Sequence, residues 1–327
     1  MNRPRLWIAA LLIVGFLAML GMFLFLPQIL DPPLTAADLQ DVTDAETRLQ
    51  LRQAQADLEN KVRSSLLQAI AGVLVTAGAV ATWQQVQTSR EGQITERFSR
   101  AVDQIGSVNL DVRIGGIYAL RRIALNSRTD RNTVQYMLAA FVRNHALWAV
   151  GSPDGPQHPT PSVDEHLPWL QVRAPDIQAA ISVLSRRPDP DRTRPLYLSR
   201  VDLRSAQLDR ACLTGTWIRH ANLARAWLRG TKLDCSDLKN TDLRRAHLAE
   251  ASLVKANLAG AYLEGAELAR ADLRGADLRG ADMRALHLRE AQLTNARADA
   301  TTMWPADFDV HDRRRHGIVE DTPAATT

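Results

Sequence analysis

Cysteine is nearly missing. Cys212 and Cys235 are the only two in 327 residues, too few for a disulfide framework. Aromatic side chains make up 5% of the chain, which leaves no platform for stacked bases. A dominant charge sign is lacking as well, since 40 Lys and Arg face 36 Asp and Glu for a formal charge of +4. Residues 1–90 carry 7 basic and 7 acidic side chains, 91–195 carry 13 and 11, 196–308 carry 17 and 14, and 309–327 carry 3 and 4. No segment holds the basic excess of a surface built around phosphates, so nucleic acid is not an expected partner. The sequence contains no Gly-rich phosphate loop, zinc-protease helix motif or nucleophile elbow. No catalytic, cofactor-binding or metal-binding residue is assigned, and neither a cofactor nor an enzymatic activity is expected.

What is present begins with two apolar runs. Leu6 to Leu26 has 21 residues without a charged side chain, and a helix of that length crosses about 30 Å of bilayer. Arg3 and Arg5 precede it, and Pro27 ends it without the small-residue site at which a signal peptide is cut. It reads as a retained anchor. Leu66 to Trp83 is a second run, interrupted only by Gln68, Thr76 and Thr82. A buried helix of a soluble domain is the competing reading there. Its small residues, Gly72, Ala77, Gly78 and Ala81, would let another helix approach closely. Together the runs predict a membrane hairpin over residues 1–90, with spans at about 6–26 and 66–83 and a loop at 31–65. Residues 36–63 of that loop lack Gly and Pro and read as a polar helix, with Thr35 as a candidate cap. Arg3 and Arg5 before the first span and Arg90, Arg97 and Arg100 after the second, against Lys61 and Arg63 in the loop, favour both termini and the repeat domain in the cytoplasm of a multi-pass cell-membrane protein.

Residues 91–187 change to helical spacing. Ile94, Phe98, Ala101 and Ile105 form one stripe, broken by Gly106 and Ser107. Ile114, Ile117, Leu120, Ile123 and Ala124 mark a second helix. Val134, Met137, Leu138, Phe141 and Val142 mark a third, with Asp130 as a candidate cap. Asp176 to Arg187 gives a fourth, with Ile177, Ala180, Ile181 and Leu184 inward, and the Pro-, Asp- and Gly-rich stretch 151–168 between them is a loop. Gly115 and Gly116 each cost about 1 kcal/mol relative to Ala in a helix, a cost most easily offset where two helices cross closely. Residues 112–120 resemble one helix of a HEAT-type repeat, although a small helical bundle suffices. Residues 188–195, rich in Pro and Asp, read as a linker.

The decisive pattern starts at Leu198. Every fifth residue from 198 to 293 gives 20 positions, of which 18 are Leu, with Ile218 and Met283 the exceptions. Two residues before these centres the side chain is nearly always small, as at Ala206, Thr216 and Ser236, and at Ala in every such step from 246 to 281. Asp or Asn often stands just before the centre, as in Ala271-Asp272-Leu273-Arg274-Gly275. A period of five fits neither regular element. On an α-helix successive leucines would rotate about 140° away from each other. On a flat strand they would point to opposite faces. All can share one interior only if the chain turns a corner in every repeat, which makes a solenoid of stacked coils about 4.8 Å apart.

At these residues the chain resembles the pentapeptide-repeat family, whose pattern is A(D/N)LXX. The resemblance implies a right-handed quadrilateral β-helix over residues 196–308, four repeats to a coil. It also implies 23 centres from Leu198 to Phe308, the last being Ala298, Met303 and Phe308. The stretches around Val62–Ala69, Arg90–Phe98 and Arg113–Leu120 are similar to membrane-tethered, actinomycete-type members. The expected architecture is therefore a transmembrane helical hairpin, a small all-α block, the β-helix and a disordered tail at 309–327.

Residues 20 apart should stack, which puts Gln207, Trp227, His247, Glu267 and His287 in one column. A His-Glu-His stack on flat strands offers no converging set of three or four metal ligands, so it reads as solvated surface. Cys212 and Cys235 share a face but not a position within the repeat, and read as reduced thiols. Arg274, Arg279, Arg284 and Arg289 form a belt interleaved with Asp272, Asp277, Asp282 and Glu290, which predicts mutual neutralisation. Arg313-Arg314-Arg315 has acidic neighbours and reads as solvated tail. The function expected from these parts is a membrane-anchored, non-enzymatic scaffold offering a rigid surface to a protein partner. The alternative, drawn from the family, is a DNA-mimicking protein that binds topoisomerases and protects them from quinolones; an excess of three basic residues on the rod disfavours it. The resemblance also implies that rod ends can dimerise.

Overall fold

From Ala45 to Ile105 the chain is one α-helix, α1, of 61 residues. The computed structural model describes residues 45–150, 157–186 and 195–321, with Gly15, Gly21, Phe23, Phe25 and Ile29 before them. The chain divides into two units, Met1–Gly92 and Gln93–Thr327.

In the first unit, the expected loop helix and the second apolar run are parts of α1, which also continues into the stripe at 94–105. The expectation of separate helices is corrected here. No proline lies between 45 and 105, and the glycines at 72, 78 and 92 stand singly, so nothing interrupts the backbone ladder. Within α1, Ala45–Ser89 is long and apolar enough to cross a membrane. The hydroxyls of Thr76 and Thr82 donate to the carbonyls of Gly72 and Gly78, each at 2.8 Å, so the helix itself satisfies them. The expected first span, 6–26, and Thr35 lie outside the described residues, apart from four isolated positions in the span.

In the second unit, α2 (Leu110–Asn126), α3 (Arg131–His145), α4 (Leu170–Arg173) and α5 (Pro175–Leu184) form the helical block. Asn109 caps α2, its side chain accepting from the Asp111 and Val112 amides. Asp130 precedes α3 but makes no capping hydrogen bond, contrary to expectation, because its own backbone is already helical. Pro175 opens α5, where its missing N–H costs nothing. Ile117, Leu120, Val134, Leu138, Phe141, Val142, Ile177, Ile181 and Leu184 are buried together. Gly116 faces the end of α1: an added Cβ would lie 2.9 Å from the Ala101 carbonyl and 2.8 Å from the Gln104 Cβ. Gly115 meets nothing, so only one of the two glycines serves the crossing.

From Leu196 onward the repeats wind as expected, with backbone bridges joining residues 20 apart, such as Asp202, Asn222 and Asp242. The Leu223 amide donates to the Asp242 carbonyl at 2.7 Å in the next coil, and the Asn222 amide to the Val201 carbonyl at 2.9 Å in the previous one. Each corner closes with a turn bond, such as Ala226 N to Leu223 O at 2.9 Å. Inside each such turn, two places after the centre, stands a left-handed residue, Gly at 215, 230, 260, 265, 275 and 280 and larger side chains elsewhere. Leucine centres from 198 to 278 are buried, as is the small residue before each. A fully buried leucine contributes about 1.5–3 kcal/mol before ordering entropy is set against it.

Three features depart from expectation. The helical block and the rod share one hydrophobic core, so the block does not stand apart from the solenoid. The linker itself lies outside the described residues except Pro195. The spacing of the late centres slips: Leu286 bridges Glu267, 19 residues back, and Met303 bridges Asp282, 21 residues back. Met303 therefore takes an outward position with 46% exposure, and half-buried Trp304 packs against the core in its place. Finally, the expected disordered tail is ordered as far as Asp321. A short helix α6 (Val310–Arg315) follows β1 (Arg297–Ala298), and β2 (Val319–Glu320) pairs with β1 in parallel. The Val319 amide donates to Ala296 O and that of Asp321 to Ala298 O, both at 2.8 Å. A solenoid end exposes unpaired backbone groups, and pairing them is what orders this segment.

Candidate interaction surface

The residue before each centre points outward, so four columns define the rod's faces. Tyr197, Trp217, Asp237, Asn257, Asp277 and Arg297 mark face 1, and Asp202, Asn222, Asp242, Tyr262, Asp282 and Met303 mark face 2. Gln207, Trp227, His247, Glu267 and Leu286 mark face 3, and Cys212, Lys232, Ser252, Asp272 and Gln292 mark face 4.

Face 2 is covered. The segment after residue 157 runs along it, placing His158 edge-on to Tyr262 at 5.4 Å between ring centroids. Arg244 donates to the Thr160 hydroxyl at 2.9 Å and Arg225 to the Asp164 carbonyl at 2.8 Å. Beneath it the Arg244–Asp242 ion pair, 2.7 Å long, is withdrawn from water. His220 lies beside this strap, and burial, together with the charge of Arg200, pushes its imidazole below the usual range.

Several charges toward the C-terminal half of the rod are tied down locally. In Asp272–Arg274, Asp277–Arg279 and Asp282–Arg284 the guanidinium folds back onto the carboxylate two residues before it, at 2.6 Å in each pair. The same carboxylate accepts the arginine's backbone amide. For Asp272 and Asp277 the arginine hydrogen bond holds the carboxyl below its ordinary range. The belt is thus neutralised pair by pair, and Arg289 reaches Asp312 at 2.9 Å. In the arginine triplet, Arg313 pairs with Glu320 at 2.7 Å and Arg315 with Asp312 at 3.6 Å.

The His-Glu-His column does not survive intact. His247 Nδ1 lies 3.0 Å from Glu267, but Leu286 occupies the next place and His287 turns to Glu290 at 3.2 Å. Among the described residues no three His, Cys, Asp or Glu side chains converge as metal ligands. Cys212 and Cys235 are free thiols.

Face 3 is different in kind. Trp227 packs against His247 along the column, with centroids 4.8 Å apart. Trp169, just before α4, leans on Trp227 with centroids 5.5 Å apart and planes at 45°. With Tyr118 of α2 and Pro175, Gln178 and Ser182 of α5 they line a groove of about 640 Å³ where the helices meet the rod. Tyr118, Trp169 and Trp227 are all exposed there, in a chain with few aromatics. The sequence placed Trp227 in its column. It did not show that residues 58 and 109 positions earlier arrive beside it. Their only sequence signal is that large aromatics at positions outside the helix core stripes need a reason.

The sequence profile of Pentapeptide repeats matches residues 221–258, 246–284 and 266–304, with 8 copies. A solved pentapeptide repeat protein from Nostoc Pcc 7120 is 30% identical over 37% of this chain and 84% of its own, with a TM-score of 0.16. This chain belongs to the pentapeptide repeat family. A second pentapeptide repeat protein, from the cyanobacterium Cyanothece 51142, is 35% identical over 28% of this chain, with a TM-score of 0.17; the chain spans 65% of that protein's length. Full-length QnrB1, a plasmid-mediated fluoroquinolone resistance protein, is 17% identical over 38% of this chain and 79% of its own, with a TM-score of 0.23. No curated protein matches the chain. Pentapeptide repeats imply the right-handed winding of the four-sided rod, and the helical block of this member stands outside the matched repeats.

Proposed function

We propose that this pentapeptide repeat protein is a membrane-anchored, non-enzymatic scaffold that presents the open faces of its rod to a protein partner. The observation that supports this most is face 3. Face 2 is strapped over and several surface carboxylates are clasped by arginines, whereas Trp169, Trp227 and Tyr118 stand exposed together where the helical block meets the rod. Exposed aromatics on rigid supports are the side chains that contribute most at protein interfaces. Two spans, 6–26 and 66–83, would hold the rod at the inner face of the cell membrane with both termini in the cytoplasm.

The DNA-mimic reading has less in its favour. Mimicry of phosphates needs unpaired carboxylates, and Asp272, Asp277 and Asp282 are each clasped by an arginine. Dimerisation through the rod's C-terminal end is also disfavoured, because Phe308 is buried there and the tail strand pairs with the last coil.

Proximity labelling in the native cell, with the label fused to the C terminus, tests the scaffold. Cytoplasmic membrane-associated neighbours that recur between repeats are expected. Labelling of extracytoplasmic proteins, or no reproducible neighbour, contradicts it. Retention of the protein in membranes after alkaline carbonate washing is the matching test of the anchor.

A further inference from the structure

We propose that the strap over face 2 is a proton-operated latch: proton uptake by the neighbouring imidazoles of His158 and His220 lifts the strap's leading end, residues 157–159, and uncovers His220 and Tyr262. The latch works whichever partner the open faces of the rod meet.

His158 is held through both ring nitrogens. Nδ1 lies 3.4 Å from the indole nitrogen of buried Trp148, and Nε2 meets the Asn240 carbonyl. An indole N–H only donates and a carbonyl only accepts. The ring must therefore accept at Nδ1 and donate at Nε2. A neutral imidazole does so in one tautomer, whereas an imidazolium donates at both nitrogens. A proton on Nδ1 would set two donors against each other in a half-buried site.

The charges around the rings work in the same direction. His220 faces His158 from the rod with centroids 6.4 Å apart, and Tyr262 meets it edge-on. Burial first, then the charges of Arg200, His158, Lys239 and Arg219, hold the His220 imidazole below its usual range. Behind Trp148, Arg204 lies 5.0 Å over the indole ring. The carboxylates of these coils are already paired: Asp202 with Arg173 and Arg204, Asp237 with Arg219, and Asp242 with Arg244. On the strap, Glu165 pairs with Arg245, and an Asp164 carboxylate oxygen accepts the His166 amide at 2.9 Å. A proton arriving at either ring meets like charge, and the two rings titrate as a unit.

A closed form that disfavours charged imidazoles is fully supported above their ordinary value, about 6.5, and is weakened as pH falls below it. The rest of the strap is held differently. Arg244 donates to the Thr160 hydroxyl at 2.9 Å, and Arg225 donates to the Asp164 and Leu167 carbonyls at 2.8 and 3.4 Å. None of these groups changes charge near neutral pH, so only the leading end lifts.

The test is pulsed EPR distance measurement on full-length protein, with nitroxides at Gln157→Cys and at native Cys235 in a Cys212→Ser background. One narrow distance is expected at about pH 7.5; by about pH 5.5 a longer population should have grown about tenfold. His158→Gln keeps one acceptor and one donor on a side chain that takes no proton, and should hold the narrow distance throughout. His220→Gln should make the transition shallower, and thermal melts of each variant report whether the fold is kept. His158→Lys carries its charge at every pH in this range and should hold the leading end open at both. An unchanged distance distribution between the two pH values, or an acid response as large in His158→Gln as in the parent, overturns the proposal. So does a closed strap in His158→Lys, even where glutamine fails to replace the ring.

Discussion

The two ends of the rod solve one problem in different ways. In the interior each outward residue donates its amide to the coil before it, as Trp227 does to Ala206 at 2.8 Å. The first coil has no coil before it. There the helical block supplies the acceptors: Ala146 O takes the Asp202 amide, the Gln178 side chain takes that of Gln207, and Ser185 O takes that of Cys212, at 2.7, 2.9 and 2.7 Å. At the other end the chain uses its own next residues, with Val319 and Glu320 laid along Arg297 and Ala298. Phe308 is buried there and stacks on Trp304 with centroids 5.5 Å apart. The tail cap adds one short parallel strand to face 1 of the last coil. The helical cap has a different shape from the coil it covers, and the mismatch leaves a concave seam in which Tyr118, Trp169 and Trp227 meet.

If the two caps are independent, each can be damaged without the other. Phe308→Ala should have the largest effect, about 3–5 kcal/mol of destabilisation. Amide exchange should quicken at Asn295 and Val319 and stay slow at Asp202 and Gln207. Leu138→Ala, fully buried in the helical block, should cost about 2–5 kcal/mol. It should quicken exchange at Asp202, Gln207 and Cys212 and leave Val319 protected. A variant that loosens both ends together would show the rod to be a single cooperative unit, and the comparison would fail.

Gln178→Leu asks how much the helical cap owes to hydrogen bonding. It keeps the side chain's bulk but strands the Gln207 amide and carbonyl, for about 1–3 kcal/mol measured by denaturant unfolding. A neutral result would mean that packing alone closes that end.

Acid gives the smallest and most graded contrast. Burial pushes the Asp202 carboxyl up, but hydrogen bonds from Arg204 and the charge of Arg173 hold it below its ordinary 3.8. At the other end, hydrogen bonds from the Asp312 and His311 amides hold Asp309 low. A carboxyl lowered by folding contributes stability that is complete above its unfolded value and is lost as pH falls through its folded value. Both ends should therefore weaken only below about 3.8. The helical end should respond more, because Asp202 is the more enclosed and joins two arginines. Exchange at Gln207 and Val319 across that range checks the order.

Much of this was legible beforehand. Leucines at nearly every fifth place from 198 to 278, small residues two places before most of them and Asp or Asn before many of them specify the coil, because each constraint acts within five residues. The helices at 110–126, 131–145 and 175–184 were legible for the same reason, their apolar spacing being local. The slips at Leu286 and Met303 were not, since a one-residue change in spacing has no sequence mark until coils are stacked and paired. Nor was the order of residues 309–321. Their charged composition resembles a free tail, and only the exposed last coil gives it something to pair with.

The sequence by itself determined that a rod would form, which side chains fill it and which point outward, because a short repeat carries its own geometry. What closes each end, which face is strapped and which is left open were decided only by tertiary structure. Those outcomes depend on backbone groups that become unsatisfied once the rod exists, and on distant segments such as Gln178, Thr160 and Val319 arriving to satisfy them.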